Sequence, residues 1–368
     1  MELKGPCPQD TLLSSINRRD FMKFCTAVAA TLGLPMTAGV QIAKAVTSPE
    51  RPPVIWLSGQ QCTGCVEMLL RTDHPSIDSL IFNLISLEYS ETLNAGSGHQ
   101  AEAALQQSIE RYKGTFILVV DGSIPVNEGG IYCQIAGRPV LDILNEMAPQ
   151  AAAVIAIGSC ASWGGVAAAE PNPTGAKPVH EILAPKGIGV VNIPGCPPNP
   201  YNFLSTVIHY LTFGKLPELD GKGRPTFAYS RLIHENCERR PHFDAGRFAD
   251  EFGDEGHRKG YCLYKLGCKG PETFNNCSLV HYNDTIGCWP VGTGAPCFGC
   301  SEERVGFHIP LFSKSRVAYP TPPNQFTEAV PQRGSGSVSF AYGVAGAAVG
   351  AAVVALAKRD GNKEDEKS

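Results

Sequence analysis

Fourteen cysteines, spread unevenly over 368 residues, constrain this chain more than any other feature. Eleven of them fall into two sets with different surroundings. Four follow apolar, β-rich runs: Cys62 and Cys65 come after "VIWLSG" (54–59), Cys160 closes "AVIAIGSC" and Cys196 closes "GVVNIPGC". Seven more, from Cys237 to Cys300, crowd into a stretch with neither helical nor strand periodicity.

The first set sits in an alternating pattern. Apolar runs at 54–59, 116–122, 153–159 and 189–195 are separated by helical stretches such as "IDSLIFNLI", where Ile77, Leu80, Ile81, Leu84 and Ile85 share one face. "AEAALQQSIERY", "RPVLDILNEM" and "NPYNFLSTVIHYL" read the same way. This alternation predicts a doubly wound parallel sheet of flavodoxin type, built with right-handed crossovers. In such sheets ligands gather beyond the carboxyl ends of the strands. All four thiols lie there. The CxxC of Cys62 and Cys65 alone fits a redox disulfide, half a zinc site or half an iron-sulfur site. A redox disulfide needs only two thiols, so convergence of four weakens that reading.

The second set lies beyond about residue 230, in a loop-rich segment too irregular to bury much core. Such a segment needs inorganic or disulfide staples. Zinc favours compact paired CxxC units. Here the only CxxC pairs, Cys62/Cys65 and Cys297/Cys300, are far apart in sequence, and the remaining thiols are spaced singly, as iron-sulfur ligands can be. Disulfides stay open for this set in an exported chain.

The two ends speak to export. "INRRDFMKF" pairs Arg18 with Arg19, an apolar stretch follows, and "AKA" at Ala43–Ala45 supplies a small-x-small cleavage site. This is the pattern of a twin-arginine signal, read by the twin-arginine translocase, which addresses proteins folded before crossing. Ligands would then meet iron in the reducing cytoplasm. At the other end, 338–357 carries no charge over a length able to span a bilayer. It holds a Gly346/Gly350 GxxxG, a "PQRGSGS" linker precedes it, and Lys358 and Arg359 follow it. An exported body on the periplasmic face of the inner membrane, with a membrane helix and a cytoplasmic tail, is the expected topology. The net charge of -4 gives no basic footprint for nucleic acid.

In order along the chain, "CTGCVE", "GSCASWGG", "IPGCPPNP", "HENCERR", "CLYKLGCKGP", "NNC" and "PCFGCSE" resemble the small, electron-transferring subunit of membrane-bound, uptake-type nickel-iron hydrogenases. The resemblance spans the signal, both domains and the C-terminal run. It implies a signal at 1–45, a flavodoxin-like domain at 46–230, an iron-sulfur domain at 231–325, a linker at 326–337, a transmembrane helix at 338–357 and a tail at 358–368.

It also implies two 4Fe-4S clusters and one 3Fe-4S cluster. Cys62, Cys65, Cys160 and Cys196 would ligate a proximal cubane, and His234, Cys237, Cys262 and Cys268 a distal one. Cys277, Cys297 and Cys300 would hold a medial 3Fe-4S cluster, with Pro290 where a fourth cysteine would complete a cubane. Gly64 and Gly165 stand where oxygen-tolerant members carry extra cysteines, which predicts a standard proximal cubane and ordinary oxygen sensitivity. Cys288 is expected as an inert thiol, with a fourth medial ligand as the alternative, and Cys133 as packing.

Glu67, Asp121 and Ser123 are candidates for hydrogen bonding around the ligands, not for acid or base work. The implied activity is a heterodimeric hydrogenase whose nickel-iron centre lies on a large partner subunit. Electrons would pass to a membrane cytochrome b or other quinone-reactive subunit. Two rival readings are the iron-sulfur subunit of a quinone reductase, which leaves the second thiol set unexplained, and a non-redox exported protein held by disulfides or zinc.

Overall fold

Strands form where β-branched and aromatic residues run together without a polar break, and such runs are buried on both faces. In the computed structural model, which describes residues 18–46, 51–72, 85–282 and 285–317, five of them make one sheet. They are β1 (Pro53–Ser58), β2 (Ser86–Ser90), β3 (Ile117–Asp121), β4 (Ala153–Ile157) and β5 (Val190–Ile193). Their order is 2-1-3-4-5 and every pairing is parallel. That is the flavodoxin order expected.

Side chains alternate between the two faces as the strand period demands. Val54, Trp56, Ile117, Val119, Ile155 and Ile157 belong to one core. Ile55, Leu57, Leu118, Val120, Val154 and Ala156 belong to the other. Helices α4 (His99–Arg111) and α5 (Val140–Met147) cover the second face through Leu105, Ile109, Ile143 and Leu144. The first face is covered by α7 (Pro200–Phe213), whose Phe203 meets Trp56 edge to face with ring centroids 5.8 Å apart. Sequence sets the start of α7: the Asn199 side chain accepts the Tyr201 N–H at 3.0 Å and Pro200 occupies the first turn.

Residues 18–46 form two helices, α1 (Arg18–Thr31) and α2 (Ala38–Val46). Cys25, Val28, Ala29, Ala38 and Ile42 lie in the same core as Phe203, Leu204, Val207 and Ile208.

Sequence reading passed over β2. "SLEYS" is half-exposed on an edge, its apolar run is broken by Glu88, and its pairing with β1 shifts register between Val54 and Ile55. The helical pattern at 77–84 lies outside the described residues.

One expectation is corrected: the fold of the described residues includes no membrane helix. Among the described residues no helix is long and apolar enough to cross a membrane. The longest, α1 and α7, have 14 residues each. At 1.5 Å per residue they reach about 21 Å, short of a hydrocarbon core of about 30 Å. The run at 338–357, its linker and the tail lie outside the described residues, as do residues 1–17. By contacts the chain divides into Met1–Tyr319, which holds every described residue, and Pro320–Ser368.

Candidate functional site

Parallel pairing places Ser58, Asp121, Ile157 and Ile193 at matched carboxyl ends. The chain then turns into the cysteine-bearing loops. Cys65 lies in α3 (Gly64–Glu67), Cys160 in α6 (Gly158–Trp163), and Cys196 just past β5. The loops are tied together: Ser159 N–H donates to Gly195 O at 2.9 Å, and Gly195 N–H donates to Ser159 Oγ at 3.0 Å. Only glycine serves at 158, where φ is +84° and a Cβ would lie 2.3 Å from Cys65 Sγ.

Burial pushes Cys65 well up, with the charges of Asp121, Cys160 and Cys196 adding to it. Burial and Cys196 raise Cys160 to about 11, with Cys62 a smaller contributor. Cys196 rises through burial and then Cys62. The four thiols therefore lie within electrostatic reach of one another. Asp121 itself, 1 % exposed, is pushed to about 7 by burial, against the pull of the Cys65 thiol and the Trp56 indole beside it.

The second group gathers around His234. Its ring meets Phe243 edge to face at 4.5 Å, and its buried Nε2 has no hydrogen-bond partner. Burial first, then Arg240, depresses it to about 4. A neutral imidazole presenting a bare nitrogen is in the state a metal ligand needs. His234, Cys237, Cys262 and Cys268 line one cavity with Arg239 and Arg240. Burial pushes Cys237 to about 12 and Cys262 to about 11, and raises Cys268. Arg239 N–H donates to Cys237 Sγ at 3.4 Å, a bond that favours thiolate.

The third group lies between the other two. Cys277, Cys297 and Cys300 line a cavity of about 580 Å³ together with Cys196, Cys288 and Pro290. Burial pushes Cys277 to about 12 and raises Cys297 and Cys300 well above the usual thiol range. Ser159 Oγ donates to Cys300 O at 2.6 Å, and Trp163 Nε1 donates to Ser301 O at 3.1 Å, which joins this loop to the first site. On the other side Lys269 N–H donates to Cys297 O at 2.5 Å. Asn276, beside Cys277, donates its side-chain amide to Asn202 Oδ1 on α7 at 2.8 Å.

The thirteen described cysteines are all free thiols. Among the described residues no three His, Cys, Asp or Glu side chains close around a point that would hold a single ion. That spread suits ligands of a cluster, which takes one thiolate per iron, better than a zinc site drawing four ligands onto one centre.

Glu67 is exposed and ion-paired to Arg71 at 2.5 Å, on the wall of the cavity that Cys196, Cys277, Cys297 and Cys300 also line. Ser123 is fully buried and bridges to Gln60 through its backbone. Cys133 packs at the edge of the second core. Two buried charges escaped sequence reading. Glu302 accepts from Arg224 Nη1 and Lys222 Nζ, both at 2.6 Å, and Lys269 is 1 % exposed. The signal was a charge within two residues of a candidate ligand, in "CSE" and "CKGP".

A parallel sheet with thiols at its carboxyl edge, joined to a loop domain holding two more ligand groups, defines the class of iron-sulfur electron-transfer subunits. The family model of the 20 Kd subunit of NADH ubiquinone oxidoreductase matches residues 62–210. The model of the C-terminal part of NiFe/NiFeSe hydrogenase small subunits matches 229–313. The chain is 55% identical over 362 residues to the hydrogenase-2 small chain of Escherichia coli strain K12, covering 97% of each. It is 48% identical to the periplasmic [NiFe] hydrogenase small subunit 1 of Nitratidesulfovibrio vulgaris, covering 78% of this chain and 90% of that one. Its structure resembles that of the [NiFeSe]-hydrogenase of Dm. baculatum, with a TM-score of 0.66, 35% identity, and coverage of 72% and 100%.

The chain belongs to the family of nickel-iron hydrogenase small subunits. It is the electron-transferring, iron-sulfur partner in a heterodimer whose catalytic site sits on the large subunit. The quinone reductase reading covered the first domain alone, and the full-length relatives set it aside.

Proposed function

We propose that Cys62, Cys65, Cys160 and Cys196 hold a proximal 4Fe-4S cluster, and His234, Cys237, Cys262 and Cys268 a distal one. Cys277, Cys297 and Cys300 hold a medial 3Fe-4S cluster, with Pro290 in place of a fourth ligand. When bound, the clusters supply one-electron carriage between the partner's nickel-iron centre and a quinone-reactive membrane partner such as a cytochrome b. The chain's own residues keep the three sites in line. One observation carries this reading: the ligand loops are bonded to one another in sequence, Ser159 to Cys300 and Lys269 to Cys297.

Gly64 and Gly165 support a plain proximal cubane. With φ +57°, a Cβ at 165 would lie 2.4 Å from Cys160 Sγ, leaving no room for another thiol in this conformation. Arg18 and Arg19 serve export through the twin-arginine translocase to the periplasm, with cleavage after Ala45.

Iron and acid-labile sulfide analysis of the heterodimer tests the cluster set, with an iron content of two cubanes and one three-iron cluster expected. Low-temperature EPR of the oxidised complex tests the medial site. An absent three-iron signal that returns in the Cys288→Ala variant would make Cys288 the fourth medial ligand, a position its place on the cavity wall allows.

A further inference from the structure

Lys269 is buried without the partner a buried cation ordinarily has. Arg224 and Arg240, comparably enclosed, face Glu302 at 2.6 Å and Asp244 at 2.8 Å. Among the described residues Lys269 makes no ion pair, and its Nζ donates only to Ser313 O and, at 2.9 Å, to Ser313 Oγ. Two neutral acceptors do not offset the loss of water around an ammonium. Something else in its surroundings must carry negative charge.

Its place says what that is. Lys269 follows the distal ligand Cys268 directly, and its own N–H bonds to the carbonyl of the medial ligand Cys297. Its stem runs against the medial loop, where a Cβ on Gly299 would lie 3.2 Å from Lys269 Cβ. Its head reaches the irregular segment at 312–315, whose Ser315 Oγ donates to Cys268 O at 2.9 Å. Burial raises the Cys268 thiol, and the Lys269 charge is among the groups opposing that rise. The carboxylate on this segment, Glu272, accepts the Arg316 N–H at 2.8 Å, and among the described residues it makes no ion pair with Lys269. The negative charge that would complete it is that of thiolate ligands and the cluster they hold.

We propose that Lys269 is a fixed counter-charge that stabilises the reduced form of the distal cluster and so raises its potential. The inference rests on the assignment of His234, Cys237, Cys262 and Cys268 as the distal ligands. A cation this close, with little water to screen it, favours the state carrying the extra electron.

The test uses the intact heterodimer and an EPR-monitored redox titration. Lys269→Gln keeps a donor towards Ser313 and removes the charge. Its distal midpoint should fall so that reduction is disfavoured at least about tenfold, about 59 mV for one electron. Lys269→Arg should leave the midpoint near that of the parent. An unchanged or higher midpoint in Lys269→Gln, with iron content intact, overturns the inference and leaves the ligand assignment standing. If Lys269→Gln does not assemble, Ser313→Asp decides on the same criterion, because a carboxylate against Nζ cancels the charge without removing the stem. A parent complex without a cubane at the His234 site would sink the ligand assignment itself, and the counter-charge with it.

Discussion

The proposed proximal and distal sites gather similar ligands by opposite means. The proximal thiols ride on strand ends, so the register of four parallel strands sets their positions. The distal ligands come from loops with almost no regular structure, fixed by single hydrogen bonds and ring contacts. Their charges differ as well. Beside the proximal thiols stands a buried carboxylate, Asp121, with Glu91 acting on it. Around the distal ligands stand Arg239, Arg240 and Lys269. A carboxylate disfavours an added electron and cations favour it. On the proposed ligand assignment, these charges would grade potential from the proximal to the distal site, favouring the added electron at the latter.

The largest effect breaks the geometric half of that comparison. Gly158→Ala forces a non-glycine residue to φ +84° and puts its Cβ 2.3 Å from Cys65 Sγ. The backbone strain alone costs about 1–3 kcal/mol, and the ligand cannot move without leaving its iron. We expect loss of the proximal iron, with the distal and medial EPR signals retained and H2-dependent dye reduction abolished. Among the described glycines none at the distal site would set a Cβ this close to a ligand sulfur: on Gly270 it would sit 3.4 Å from Cys268 Sγ, ordinary contact, and the tight position at Gly267 meets the Phe312 backbone instead. Gly270→Ala should therefore keep its cluster, and its loss would show that the loops are as tightly specified as the sheet.

Next in size is the clasp that carries the loop domain. Arg224 and Glu302 are each 5 % exposed as side chains, and Glu302 also accepts from Phe274 N–H at 3.0 Å. Removing the Glu302 charge leaves the buried Arg224 with the partly exposed Asp220 alone, at 2.8 Å, and Lys222 without its carboxylate. Glu302→Gln should lower stability by less than the ~3–5 kcal/mol of a fully orphaned buried charge, read as an earlier thermal unfolding of the complex. The exposed pair Lys259–Glu255 offers the contrast, at about 0–1 kcal/mol. Equal losses at both pairs would mean that the loop domain is not held through Arg224.

How much was legible before the structure follows the same divide. Strands β1, β3, β4 and β5 and helices α4, α5 and α7 came from periodicity, because a sheet buried on both faces writes itself as apolar runs. β2 did not, since an edge strand needs no such run. The ligands were visible as motifs, yet the burial of Lys269 and Glu302 was not. Each is buried by contacts made more than twenty-five residues away, with Ser313 and Phe274, and a local window carries no trace of those. The spanning helix read from the uncharged run at 338–357 has no counterpart among the described helices, and that run lies outside the described residues.

The smallest effect sharpens the charge half of the comparison. Without clusters, Asp121 and His234 should tilt stability in opposite directions over one range of pH. Burial raises Asp121 from 3.8 to about 7, so the folded chain holds that proton more tightly than the unfolded chain does. Its contribution is full below pH 3.8 and is lost as pH climbs through 7. His234 is lowered from 6.5 to about 4, so the unfolded chain binds that proton more readily. Its contribution is full above pH 6.5 and is lost as pH falls through 4. The two slopes oppose one another between about pH 4 and 6.5 and partly cancel in the parent. In the cluster-free chain, Asp121→Asn should leave stability rising with pH across that window, and His234→Gln should leave it falling. Thermal unfolding followed at several pH values reads both. Parallel slopes in the two variants would mean that the buried carboxylate and the buried imidazole do not mark opposite electrostatic settings, and the grading would then rest on the distal cations alone.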